Sequence, residues 1–319
     1  MTDLGAIATA VLAARPRAIA RAISYLEDGH PQAGELLALL FPHTGKAWTI
    51  GITGPPGAGK STLVDRLAEA IRQRGFTLAV VAVDPASPFS GGAILGDRIR
   101  MAGLAADPGV YVRSMSNRGH LGGVATATES AIHVLDAAGF DVIVIETVGV
   151  GQSEIEIAEL ADTTVLVQPP HLGDGIQAVK AGIMEVPQVF LLNKADLPGA
   201  RQAAAEIEGY LDLVSWSAQT WRPPVVLVSA TSAEALGVDE ACAAMLRHRE
   251  WLQQDARLAT ARQVRARRSL WREADRLLQA QLRARVSKSG EESLLDDILS
   301  RRLTPEVAAR QLIASVWPV

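Results

Sequence analysis

The stretch Thr49-Ile-Gly-Ile-Thr-Gly-Pro-Pro-Gly-Ala-Gly-Lys-Ser-Thr62 decides the fold. A β-branched apolar run ends at Gly54, four residues separate it from Gly59-Lys60-Ser61, and a helix-forming segment from Leu63 to Arg74 follows. That is the phosphate-binding loop in the strand–turn–helix setting it requires. Gly54, Gly57 and Gly59, with Pro55, Pro56, Ala58 and Thr62 filling the turn, let successive backbone N–H groups and a helix N-terminus face a phosphate. Lys60 is expected to reach the β- and γ-phosphates, and the Ser61 hydroxyl to ligate Mg²⁺.

Working outward, six further short runs read as strands: Leu78 to Asp84, Val110 to Val112, Val142 to Glu146, Thr164 to Gln168, Val189 to Asn193 and Val225 to Ser229. Helical segments such as Gly123 to Ala138 and Arg201 to Leu213 lie between them. Near-continuous apolar strands alternating with helices predict an α/β fold: a P-loop nucleotide-binding domain with a mostly parallel central sheet covered by helices on both faces. Ligands in such folds sit at the carboxyl ends of the strands. Helical patterns before Trp48 and after Gly237 divide the chain into an N-terminal helical extension over 1–45, the nucleotide domain over 46–235 and a C-terminal helical arm over 236–319.

Composition narrows the function. The chain has 319 residues, 48% hydrophobic and 21% charged, with a net charge of −4. This is globular and exerts no global pull toward nucleic acid or anionic membrane. Residues 247–288 hold 12 Lys plus Arg against 4 Asp plus Glu; with few aromatics interleaved, the stretch reads as a solvated helix face rather than a nucleic-acid arm. The apolar stretch Leu4 to Ala14 is too short to span a bilayer, so no membrane partner is expected. The lone Cys242 points to a reducing compartment. A cytoplasmic location is expected, or the mitochondrial matrix for a eukaryotic source, where Arg15, Arg17 and Arg21 would suit a presequence.

The base is chosen elsewhere. Asn193-Lys194-Ala195-Asp196 follows the run Val189 to Leu192, and one carboxylate at Asp196 accepts both guanine donors, N1 and N2, as a bidentate pair that adenine cannot offer. Asn193 would tie the loop to the base or to the phosphate loop, and the Lys194 stem would cover the ring. Ser229-Ala230-Thr231 ends another strand, where backbone N–H groups would meet the guanine carbonyl. GTP and GDP are therefore the expected ligands. Asp84, Asp97 and Glu146 lie where Mg²⁺ is to be held, directly or through water. Glu146-Thr-Val-Gly149 has the form of a loop whose glycine senses the γ-phosphate. Lys60, Asp97, Glu146 and Gly149 are the candidate catalytic set. Val150 stands where many GTPases place a water-orienting glutamine, which predicts slow intrinsic hydrolysis and help from another segment or a partner.

These residues resemble the MeaB/MMAA/ArgK group of P-loop GTPases. The resemblance runs through Gly54 to Thr62, Val81 to Pro85, Gly92 to Arg98, Gly119 to Ala125, Glu146-Thr-Val-Gly-Val-Gly-Gln-Ser-Glu154 and Asn193 to Asp196. It implies a chaperone for adenosylcobalamin-dependent acyl-CoA mutases, in which Ser61, Asp84, Asp97 and Glu146 surround Mg²⁺ and the C-terminal helices form a homodimer. It also implies a mutase-communicating segment, here about His171 to Glu185 with Gln177 and Lys180. That stretch departs from the family pattern at Pro169 to Gly175 and Met184 to Pro187, so a mutase acting on isobutyryl-, 2-hydroxyisobutyryl- or ethylmalonyl-CoA stands beside methylmalonyl-CoA mutase as client. A nickel-enzyme metallochaperone is the nearest rival, but the six histidines are dispersed and a nickel site needs clustered ligands. A protein kinase or transport ATPase is the other, and no kinase catalytic-loop signature is present.

Overall fold

The computed structural model describes residues 3–84, 107–116, 123–147, 159–170, 187–217, 219–232, 235–286 and 288–317. Asp97, Gly149, Val150 and the segment from His171 to Glu185 lie outside them. The chain forms two compact units, Met1–Arg262 and Gln263–Val319.

In the first unit, α1 (Leu4–Leu12), α2 (Pro16–Glu27) and α3 (Ala33–Leu40) precede a nucleotide-fold core. The core runs β1 (Trp48–Thr53), α4 (Lys60–Gln73), β2 (Leu78–Asp84), β3 (Val110–Ser116), α5 (Gly123–Ala137), β4 (Val142–Thr147), β5 (Thr163–Gln168), β6 (Val189–Leu192), α6 (Ala200–Leu211), β7 (Val225–Leu227) and α7 (Val238–Gln253). The seven strands form one sheet in the order β3-β2-β4-β1-β5-β6-β7, and every pairing is parallel. All residues of β1, β4, β5 and β6 are buried, as expected where helices cover both faces.

Alternation along each strand divides the core. Ile50, Val80, Val144, Val165 and Leu191 pack with Leu63, Leu67 and Ile71 of α4 and with Ala241, Cys242 and Met245 of α7. Ala79, Val81, Ile143 and Ile145 face the other way, onto α5 and onto Val11, Ile19, Ile23 and Leu36 of the N-terminal helices. The N-terminal helices and α7 therefore belong to the core of the nucleotide fold. The joint near residue 45 is closed by Asp136, whose carboxylate accepts N–H groups from Gly45 (2.5 Å), Lys46 (3.1 Å) and Ala47 (2.9 Å). Arg262 locks the far side, pairing with the buried Asp162 at 2.9 Å and donating to the Ala47 carbonyl. The chain thus divides after Arg262 rather than at 236, because α7 buries its apolar face against α4.

Strand β3 runs past the expected Val112 to Ser116, paired residue for residue with β2 as far as Asp84. Arg113 interrupts the apolar pattern and pairs with Glu27 of α2 at 2.7 Å. Strand β7 stops at Leu227, short of the expected Ser229.

Long helix α8 (Arg257–Arg285) begins in the first unit and has no buried residue among those described. In the second unit it is followed by α9 (Lys288–Leu299) and α10 (Pro305–Val316), which pack on each other. The Thr304 hydroxyl caps α10 by accepting the Val307 N–H. Leu270, Trp271 and Leu299 of this unit are each at least 65% exposed.

Candidate functional site: a phosphate loop beside a base-selecting tetrapeptide

Close approach of neighbouring atoms dictates two glycines of the loop. At Gly54 (φ 144°) a Cβ would lie 2.0 Å from the carbonyl oxygen of Val167 on the neighbouring strand β5. At Gly59 (φ 85°), the residue capping α4, a Cβ would lie 2.5 Å from Asn193 Nδ2. The loop is thereby pressed between β5 and the tetrapeptide after β6, with the N-terminus of α4 at its end.

Polar side chains at this end of the sheet hold one another. Lys60 is buried and donates to the carbonyls of Gly54 (2.7 Å) and Pro55 (3.0 Å). The Ser61 hydroxyl donates to Glu146 Oε1 at 2.6 Å, at the end of β4. Asn193, buried after β6, donates through Nδ2 to the Ala58 carbonyl at 2.8 Å and accepts the Ala230 N–H at Oδ1 at 3.2 Å. It therefore ties the phosphate loop to the loop after β7. Lys194 adopts a left-handed backbone (φ 61°) and donates to the Gly57 carbonyl at 2.9 Å. The Ser229 hydroxyl donates to Asp196 Oδ1 at 2.5 Å. That bond, then the residue's own N–H and more weakly Lys194, hold the Asp196 carboxyl below the usual carboxylate range.

A cavity of about 580 Å³ opens between these groups, within the usual range for small-molecule sites. Its phosphate end is lined by Pro56, Gly57, Gly59, Lys60, Ser61 and Thr62, with Glu146 and Thr147 beside them. Asn193, Lys194, Asp196, Ala230 and Thr231 complete the lining. Gly54, Pro55, Ala58 and Ser229 stand behind this lining. Ser61 and Glu146 supply hard oxygen donors side by side, the donor type that suits Mg²⁺. Asp84 ends β2 beside β4, while Asp97 and Gly149 are not among the described residues.

Sequence reasoning missed three features. Ala82 and Val83 of β2 and Leu197 also line the cavity, and no motif marks them. Ser229 acts through its hydroxyl rather than its N–H, which donates to the Leu236 carbonyl. The Ala230 N–H, expected to be open to guanine, is engaged by Asn193.

A parallel sheet with a glycine loop feeding a helix defines the P-loop nucleoside-triphosphatase class, and the tetrapeptide bonded to that loop marks its guanine-nucleotide branch. The family model for methylmalonyl Co-A mutase-associated GTPase MeaB matches residues 19–288, and the chain belongs to this family. It is 44% identical over 302 residues to a protein of Pyrococcus abyssi named as a GTPase, covering 94% of this chain and 93% of that one. The mouse methylmalonic aciduria type A homolog, described as mitochondrial, is 37% identical over 270 residues, which cover 79% of this chain and 65% of that protein. GTPase ArgK of Escherichia coli is 36% identical over 252 residues, 77% of this chain and 76% of that one. Among solved structures, one titled an LAO/AO transport system kinase superposes with a TM-score of 0.76 at 26% identity, over 99% of both chains. Among the described residues no helix is long and apolar enough to cross a membrane.

Proposed function

We propose that this chain is a Mg²⁺-dependent GTPase that gates adenosylcobalamin loading onto a cobalamin-dependent acyl-CoA mutase and protects that enzyme. The observation that carries the nucleotide half of the reading is the juxtaposition of Lys60 and Ser61 with Asp196 across one cavity. The mutase half is supported by the family, whose description names methylmalonyl Co-A mutase, and by the mouse relative's name.

The internal bonds of the site suggest how it works. Lys60 leaves the Gly54 and Pro55 carbonyls for the β- and γ-phosphates, and the loop N–H groups take the remaining phosphate oxygens. Ser61 and Glu146, with Asp84 and Asp97, would hold Mg²⁺, which when bound would neutralise charge developing on the phosphates. Asp196 accepts the guanine N1 and N2 donors. Water attacks the γ-phosphorus, the bond to the β-phosphate oxygen breaks, and GDP and inorganic phosphate leave. Because Val150 has no group to orient that water, hydrolysis is slow until a partner supplies one. Loss of the γ-phosphate releases the Glu146 to Gly149 segment, which signals the nucleotide state. The exposed apolar residues Leu270, Trp271 and Leu299 suit helices that pair in a homodimer.

The test is co-purification of the tagged chain from its native cell with GTP, GDP or no nucleotide. A cobalamin-dependent mutase recovered in nucleotide-dependent amount supports the reading. Recovery of no such mutase under any condition refutes the client assignment, and calorimetry showing no GDP binding refutes the nucleotide assignment.

A further inference from the structure

Residue 230 is held at both ends. Its N–H donates to Asn193 Oδ1 at 3.2 Å, and its carbonyl accepts from Arg66 Nε on α4 at 3.2 Å. Arg66 is itself steadied by Glu69 one turn on, at 3.3 Å. The described chain contains no cis peptide, so the N–H of Thr231 lies in the Ala230–Thr231 peptide plane and points opposite to the carbonyl that Arg66 holds. Thr231 lines the cavity together with Ala230, Asn193 and Asp196. With the Ala230 N–H engaged by Asn193, the direction of this next peptide decides which donor the loop presents to a ligand.

We propose that Arg66 is a positioning residue for recognition of the base: by fixing the Ala230 carbonyl from the helix that rises out of the phosphate loop, it aims the 230–231 peptide at an acceptor on the purine. The inference deepens the guanine-nucleotide reading and rests on it. Guanine carries a carbonyl acceptor on its six-membered ring where adenine carries an amino donor, so a donor fixed in place favours one base and leaves an unmade bond against the other. The same contact joins the phosphate half of the site to the base half, since Arg66 lies on α4 about a turn and a half beyond Lys60 and Ser61.

The test measures binding of GDP, ADP and inorganic pyrophosphate by titration calorimetry to the full chain and to Arg66→Ala and Arg66→Lys. Pyrophosphate reports the phosphate loop alone. Arg66→Ala is expected to weaken GDP about tenfold, the scale of one charge-assisted hydrogen bond, and to lower the GDP-over-ADP ratio, while pyrophosphate stays within about twofold. Arg66→Lys is expected to recover part of the ratio, and serves as the informative variant if Arg66→Ala fails to fold. An unchanged GDP-over-ADP ratio in a folded variant, or equal losses for GDP and pyrophosphate, would overturn the role of Arg66. A wild-type chain with no preference for GDP over ADP would overturn the guanine reading as well, so the two failures are distinguishable.

Discussion

Ser229 donates its hydroxyl to Asp196 across the gap between the loops that follow β7 and β6, at 2.5 Å. The bond fixes the carboxylate's orientation and stabilises its charged form, which is the form that accepts two guanine donors. Asp196→Ala is therefore expected to lower the GDP-over-ADP affinity ratio by about 100-fold, because two hydrogen bonds to a charged group are lost together. An Asp196→Ala chain that still prefers GDP would refute the base assignment.

The same pair predicts a pH dependence. A carboxyl with a depressed value stays charged further into acid, so GDP affinity persists as pH falls and is lost only near that lowered value. Ser229→Ala removes the largest cause of the depression. Its GDP-binding curve should lose affinity at higher pH than the wild type, with neutral-pH affinity reduced about tenfold. Superimposable acid limbs for the two proteins would show that the hydroxyl does not tune the carboxylate.

Gly54 offers a purely steric prediction. Any side chain there must occupy the space of the Val167 carbonyl, 2.0 Å from the ideal Cβ position, with φ at 144°. Gly54→Ala forces the loop away from β5 or strains the backbone, at a cost on the order of 3 kcal/mol. Gly57 has nothing within 4 Å of its Cβ position, so Gly57→Ala meets only the left-handed backbone penalty of about 1 kcal/mol. Urea denaturation of both variants reads the difference directly; equal midpoints would mean that the loop is not pressed against β5.

Much of this arrangement was legible in sequence, because unbroken apolar runs such as Val142 to Ile145 can only be buried on both faces. Arg113 hid the second half of β3, since a charged residue on an edge strand breaks the apolar pattern and its buried partner Glu27 lies far away in sequence. Helical composition after Gly237 marked α7 as helical but could not say what it covers; that Ala241 and Met245 meet α4 is a property of the packed sheet. Glycine spacing revealed the phosphate loop because its cause is local. The bonds from Ser229 to Asp196 and from Arg66 to Ala230 join separate loops and elements, so no spacing rule announces them.

At the opposite end of the sheet from the nucleotide cavity, His248 supplies a prediction about stability. It is buried on α7, with Trp221 and Trp251 ring centroids 4.9 and 5.7 Å away. Trp48 Nε1 donates to the Thr163 hydroxyl at 3.0 Å, and that hydroxyl lies 2.9 Å from His248 Nδ1. An indole only donates, so the Thr163 hydroxyl accepts from Trp48, and its second hydrogen bond, to Nδ1, holds the imidazole in place. Burial lowers the imidazole from its ordinary 6.5 to about 4, against a smaller opposing pull from Asp162. The unfolded histidine thus takes a proton below pH 6.5 that the folded one refuses until about pH 4, so this contribution is complete above the unfolded value and is lost as acid is added through that window. Between pH 7 and pH 5 the loss is about 2 kcal/mol. His248→Gln, which keeps a hydrogen-bonding group for Thr163 but has no proton to gain, should flatten the dependence of urea-unfolding free energy on pH over that interval while being less stable than wild type at pH 7. A variant whose stability falls with acid as steeply as the wild type would show that other groups govern the slope.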